Sequence, residues 1–200
     1  MSSPPFAAPQ LDGLLLGPDQ INTAMGATGM RVATTYTTMK DLNAQLSDTA
    51  CLPLADPADA AVYAGSGWYV NAMRGEGLDE PSSSWTHLVY QNVVLFSSAH
   101  DADAFFTASA QSWPACANRQ YTVTVAGKPD EVWTVGPVSN TNGTLSATKT
   151  QVLDNGWTCQ RALTVAKNVA IDVEACTKSD TPLSGSAVNI AHQIAAKIPT

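Results

Sequence analysis

The chain has 200 residues, 44% of them hydrophobic and 14% charged, with a net charge of -7 and a pI of about 4.7. That balance fits one compact domain burying about 70% of its unfolded surface. It argues against binding phosphate backbones or anionic membranes, because only ten Lys and Arg are spread along the whole length, and apolar runs such as residues 14–16 and 93–96 fall far short of the about 20 residues that span a bilayer.

Residues 1–10, MSSPPFAAPQ, combine three prolines with small residues, the composition of an extended tether. They carry neither the charged start nor the apolar stretch of a secretory leader. Residues 11–200 are expected to form a single domain. Pro18 in a first turn, with Ile21, Ala24 and Met25 facing inward and Gly26 as a stop, predicts a short helix. A strand is expected over 31–37 and a helix over 39–46, with Leu42 and Leu46 on one face. A turn-rich piece at 53–57 and a helical turn at 58–62 follow; Gly65-Ser66-Gly67 then breaks the chain before a strand over 68–74 and a loop over 75–84.

Residues 85–96 form the longest β-rich run. Alternation puts Trp85, His87, Val89, Gln91, Val93 and Leu95 on one face and Leu88, Tyr90, Asn92, Val94 and Phe96 on the other. Two mostly apolar faces predict a central strand, in which Gln91 and Asn92 are amides that are buried or line a cleft. Ser98 to Asp101 resembles a capping box ahead of a helix carrying Ala102, Phe105, Phe106 and Trp113 on one stripe, ended by Pro114 beside Cys116. Strands over 121–126, 132–138 and 144–153, with turns at 127–130, Asn142-Gly143 and Asn155-Gly156, predict a β-meander. Ala187, Ile190, Ala191, Ile194, Ala195 and Ile198 define an amphipathic helix over 186–198. The expected fold class is α+β, a mostly antiparallel sheet packed against several helices.

The most specific stretch is WTCQRALTVAKNVAIDVEAC, residues 157–176. Two β-rich runs flank Lys167-Asn168, and a two-residue turn there pairs residues whose numbers sum to 335. Cys159 then opposes Cys176 in a non-hydrogen-bonded pair with Cα atoms about 4.5 Å apart, within disulfide reach. Cys51 and Cys116 remain as the second pair, and two disulfides imply an oxidising compartment. The same register opposes Arg161 to Glu174 and puts both, with Asp172 and Leu163, on a mixed face; an exposed pair of that kind contributes about 0.2–1 kcal/mol.

Recognisable catalytic signatures are missing. The sequence has no G-x-S-x-G elbow, Walker A loop, H-E-x-x-H or EF-hand loop. Gly75-Glu76-Gly77 lacks the third glycine of a dinucleotide loop and reads as a surface turn. Asn142-Gly143-Thr144 fits a glycosylation sequon but is better explained as a hairpin turn. No C-x-x-C pair exists and His87, His100 and His192 are scattered, so no metal or cofactor is expected.

The hairpin sequences WTCQRALTV and NVAIDVEAC, the strand W-x-x-x-V-Y-Q-N-V-V-L-F, AFF with WPACA, and the C-terminal IAHQIAAKI together resemble the PknH-like extracellular sensor-domain family. That family occurs in a mycobacterial serine/threonine kinase and in mycobacterial lipoproteins, and the likeness covers about residues 11–198. The resemblance implies a non-catalytic module on the extracellular or periplasmic side of the membrane, folded as α+β with two disulfides and a polar cleft that binds a small-molecule or cell-envelope ligand. On this sequence the implied cleft residues are Gln91, Arg161, Asp172 and Glu174, with Arg74 a further choice. It also implies a membrane link only through a tether outside the domain, and pairing as a dimer in the full-length protein. The Pro-rich start favours the kinase over the lipoprotein parent. A protein-binding module would instead show an exposed apolar patch, and an envelope enzyme a nucleophile with its base, or a metal.

Overall fold

The computed structural model describes residues 5–81, 85–152, 156–178, 183 and 185–199. Its strands are β1 (Arg31–Tyr36), β2 (Val70–Asp79), β3 (His87–Phe96), β4 (Gln120–Val123), β5 (Glu131–Thr141), β6 (Thr144–Gln151), β7 (Thr158–Ala166) and β8 (Val169–Thr177). Its helices are α1 (Pro18–Met25), α2 (Leu52–Ala55), α3 (Ala60–Tyr63), α4 (Ala99–Ser112) and α5 (Ser186–Ala195). All eight strands form one antiparallel sheet in the order β1-β2-β3-β8-β7-β6-β5-β4. The meander runs from β4 to β8, and β3 docks on β8 as the predicted central strand.

Each sheet face has its own core. On one face the apolar stripe of α5 (Ala187, Ile190, Ala191 and Ile194) and Ile21 and Met25 of α1 cover Val89, Val93, Ala162, Ile171 and Val173. On the other, α4 and the Cys51–Tyr63 region cover Val94, Phe96, Leu163 and Ala170, with Tyr63, Phe96 and Phe105 packed ring to ring. The second face is therefore not solvated, and β8 is buried along its whole length.

The hairpin register is the one the turn dictates: Ala166 pairs Val169, Arg161 pairs Glu174 and Cys159 pairs Cys176. The cystine Cys159–Cys176 spans a Cα separation of 4.0 Å, and Cys51–Cys116 closes the second link. The left-handed φ of 52° falls on Lys167. Asn168 serves another purpose: its side chain accepts from the Phe6 N–H (2.8 Å) and donates to the Phe6 and Phe96 carbonyls (both 3.0 Å). At the neighbouring hairpin, Asn142 and Gly143 both have positive φ, 51° and 73°, as a tight two-residue turn requires.

Four segments differ from expectation. Residues 39–46 form no α-helix, only a 3-10 turn at Asn43–Gln45 between two isolated bridges. Asp59 accepts from the Leu42 N–H (2.8 Å), Lys40 bridges Asp59 and Leu46 bridges Val123, and these contacts outcompete the helix. Of the piece 53–57, read as turn-rich, residues 53–55 belong to the helix α2, Leu52–Ala55. Residues 75–79, read as loop, continue β2, where Gly75 and Gly77 make room for neighbouring side chains: a Cβ on Gly75 would lie 2.2 Å from the Tyr36 ring, and one on Gly77 2.6 Å from Thr34 Oγ1. Residues 6–10, read as tether, lie against the domain; Ala8–Gly13 is a 3-10 helix with Leu11 fully buried. Residues 1–4 and Asn155 of the expected Asn155-Gly156 turn lie outside the described residues.

Candidate functional site

Alternation along β8 sends Asp172 and Glu174 to the same face, where β7 contributes Arg161 and β6 contributes Lys149, the register partner of Cys159. All four are buried, with exposures of 3%, 6%, 1% and 3%. The surface pair expected between Arg161 and Glu174 is thus an interior network with different partners. Arg161 Nη1 lies 2.7 Å from Asp172 Oδ1, while its Nε is 3.9 Å from Glu174 Oε2. Glu174 Oε2 instead lies 2.7 Å from Lys149 Nζ. Arg161 also donates to the carbonyls of Val173 (3.1 Å) and Pro53 (3.3 Å) and lies over Trp113, 5.6 Å from the ring centre. Lys149 donates to the Ala55 carbonyl (2.5 Å) and sits 4.9 Å from the Trp133 ring centre.

Burial alone would lower the proton affinities of Arg161 and Lys149, but their carboxylate neighbours, Asp172 and Glu174 respectively, raise both above the usual values. Asp172 accepts from the Ala58 N–H (2.9 Å) and the Tyr63 hydroxyl (3.0 Å). Burial, and then the charge of Asp172, raise the Tyr63 phenol well above its ordinary range. The contact to Ala58 holds that residue at φ 53°, a left-handed conformation costly for any side chain with a Cβ, and so fixes the loop that presents Asp56.

Beside this network a cleft of about 780 Å³ crosses the sheet from β1 to β5. Thr34, Thr35 and Tyr36 of β1 form one side, with Thr38, Lys40 and Leu42 beyond them; Leu88 and Tyr90 of β3 and Glu174 and Cys176 of β8 lie between. Cys159, Lys149, Trp133 and Glu131 continue the lining, joined by Lys128, Val123, Trp85, Trp157 and the loop from Ala55 to Ala58. Trp85 and Trp157 pack against each other with ring centres 4.9 Å apart. Burial, followed by the nearby Glu174, pushes the Asp56 carboxyl up to about 7; Lys149, Arg161 and Lys40 pull the other way. Burial and Asp56 likewise raise the Tyr36 phenol above its normal range. The Tyr36 hydroxyl donates to Asn92 Oδ1 (2.8 Å), and Asn92 donates to the Asp172 carbonyl (3.1 Å).

Of the five residues expected at the cleft, only Glu174 lines it. Arg161 and Asp172 lie behind it as support. Gln91 is on the opposite face, where it accepts from the Leu16 N–H (2.9 Å) and donates to the Leu16 carbonyl (2.8 Å) and Glu76 (3.1 Å). Arg74 lines a separate hollow of about 360 Å³ and pairs with Asp12 at 2.5 Å. Asp56, Lys149, Trp133 and Trp157 are additions. Neither Lys149 nor Asp56 was legible: a two-residue turn at Asn155-Gly156 opposes Cys159 to Val152 and sends Lys149 to the other face, whereas the register formed pairs Lys149 with Cys159, and Asp56 lies on a loop with no periodic signal.

The PknH-like extracellular domain family matches residues 6–197. The serine/threonine-protein kinase PknH of Mycobacterium bovis is 37% identical over 194 residues, which cover 97% of this chain and 31% of that protein. PknH of Mycobacterium tuberculosis H37Rv is also 37% identical, over 97% of this chain and 29% of its own length. The chain thus spans less than a third of these curated relatives. The crystal structure of the extracellular domain of PknH from Mycobacterium tuberculosis superposes with a TM-score of 0.88 at 34% identity, covering 98% of this chain and 97% of that one. The two disulfides accord with the extracytoplasmic setting of such domains. With a match along nearly its whole length in sequence and in fold, the chain belongs to the PknH-like extracellular domain family.

Proposed function

We propose that this chain is the non-catalytic, ligand-sensing extracytoplasmic domain of a transmembrane serine/threonine kinase. A ligand occupies the cleft between β1 and β5, and occupancy biases the arrangement of the attached membrane segment and hence the cytoplasmic enzyme. The observation that carries the reading is the cleft itself: about 780 Å³, within the usual range for ligand sites, and backed by an interlocked ionic network rather than a yielding apolar core. The support also includes its position on a domain that matches the extracellular part of PknH.

The test uses the full-length parent protein. Lys40→Ala and Trp157→Ala each change a cleft wall without touching the Arg161–Asp172 pair. Each is expected to alter autophosphorylation in membranes supplied with envelope extract, while the isolated domain melts near the wild-type temperature. Unchanged signalling in both variants would remove the cleft from the mechanism.

A further inference from the structure

We infer that the cleft takes an uncharged glycan, with sugar rings stacked against tryptophan and tyrosine faces and hydroxyls bonded to the carboxyl and lysine groups. The inference rests on the cleft being the ligand site, and it follows from what the lining would do to each other ligand class.

Charge is close to balanced. Lys40, Lys128 and Lys149 stand against Glu131, Glu174 and the part-protonated Asp56, so the surplus is at most about one positive charge, too little to select a phosphorylated ligand, and a polycationic ligand meets no surplus of opposite sign. Glu174 and Lys149 moreover already neutralise each other at 2.7 Å. An organic cation would seek open aromatic faces. Here the chain's own lysines already set positive charge against two of those rings, which repels a further cation but not a neutral ring: Lys149 lies over Trp133 at 4.9 Å and Lys178 over Trp157 at 5.0 Å. An acyl chain fits no better, because it would strip water from Asp56, Lys40 and the Thr34, Thr35 and Thr38 hydroxyls without replacing their hydrogen bonds.

The remaining chemistry suits a sugar. Three of the five tryptophans of the chain, Trp85, Trp133 and Trp157, line this one cleft with Tyr36 and Tyr90. Aromatic faces carry negative charge density that complements the weakly positive C–H face of a pyranose. Sugar hydroxyls both donate and accept, and so does a carboxyl that exists in both protonation forms near neutrality, as the Asp56 carboxyl does at about 7. Threonine hydroxyls and lysine donors along the β1 side complete a lining for a ligand rich in neutral hydroxyl groups.

The experiment screens the domain on a broad array of immobilised neutral and anionic glycans. The best neutral oligosaccharide is then titrated by calorimetry, with choline and inorganic phosphate as separate arms. Saturable binding of a neutral glycan is expected, weakened about tenfold by Trp157→Ala. Asp56→Ala should weaken it as well, and Asp56→Asn should restore it in part, with melting temperatures showing that each variant is folded. Failure of every neutral glycan to bind overturns the inference. Binding of choline, phosphate or an anionic glycan alone would overturn it too, while sparing the sensor reading. That reading fails separately if no class binds and the cleft variants leave signalling by the full-length protein unchanged.

Discussion

Replacing Arg161 by alanine removes the guanidinium that lies 2.7 Å from Asp172 Oδ1, together with its bonds to the carbonyls of Val173 and Pro53. Were the pair on the surface, the loss would be at most about 1 kcal/mol. With Arg161 at 1% exposure and Asp172 at 3%, breaking the pair strands a buried charge, an effect of about 3–5 kcal/mol. Two features hold the value to the lower half of that range. Asp172 keeps its bonds from Ala58 and Tyr63, and Glu174 keeps Lys149. The expected loss is therefore about 3–4 kcal/mol, which for a domain of this size lowers the melting temperature by about 6–16 °C. Urea unfolding followed by tryptophan fluorescence measures it, since Trp113 packs under Arg161. An Asp172→Leu, Arg161→Met double variant should recover only part of the loss, because it leaves no stranded charge but orphans the Ala58 N–H and the Tyr63 hydroxyl. A loss below about 1 kcal/mol for Arg161→Ala would refute the assignment of a buried, mutually dependent network.

Asp56 should make stability depend on pH. Its folded carboxyl titrates at about 7 against an ordinary 3.8, so between those values the folded chain holds a proton that the unfolded chain has released; this contribution is present at low pH and is lost as pH rises through about 7. Melting temperature measured from pH 5 to pH 8 should fall less steeply for Asp56→Asn, and parallel curves would contradict the shift. Gln91→Ala should cost about 2–4 kcal/mol by orphaning both polar groups of Leu16, yet leave ligand binding in the cleft unchanged; equal stability by urea titration would be the contrary result. Gly75→Ala should force the Tyr36 ring aside and break its bond to Asn92, at about 1–3 kcal/mol. Unaltered near-ultraviolet circular dichroism and stability would show that the ring has room to spare.

The hairpin was legible because a two-residue turn fixes every pairing that follows from it, and one count from Lys167-Asn168 delivers both the cystine and the Arg161–Glu174 opposition. Burial of that face was not legible. It is covered by short helical turns at Leu52–Ala55 and Ala60–Tyr63, too brief to show a period, and so the ion pair looked exposed and Arg161 looked available to a ligand. Gln91 shows the converse: a central strand correctly suggested a buried amide, but its partner is the backbone of Leu16, 75 residues away, in a segment without strand pattern. Gly75 and Gly77 read as loop because glycine ordinarily weakens strands; the two rings that need the space, Tyr36 and Tyr90, come from other strands. The cleft aromatics were scattered singly through the sequence, and only the fold collects them.

Asn168 and Gln91 grip the N-terminal segment in the same way, each bonding both the N–H and the C=O of one residue, Phe6 and Leu16. Among the described residues, no backbone-to-backbone bond joins residues 6–16 to the sheet; side chains, including Lys197 to the Leu15 carbonyl at 2.7 Å, make every polar link. The segment is therefore fastened by clips rather than woven in. Under load it can peel away one clip at a time while the eight-stranded ladder stays intact, resisted mainly by Leu11, Leu14 and Leu16, whose burial contributes about 1.5–3 kcal/mol each. Gln91 is the direct chain neighbour of Asn92, which holds Tyr36 in the cleft wall on the opposite face. The innermost clip and the cleft wall thus share β3, adjacent residues of one strand holding the N-terminal segment on one face and Tyr36 on the other.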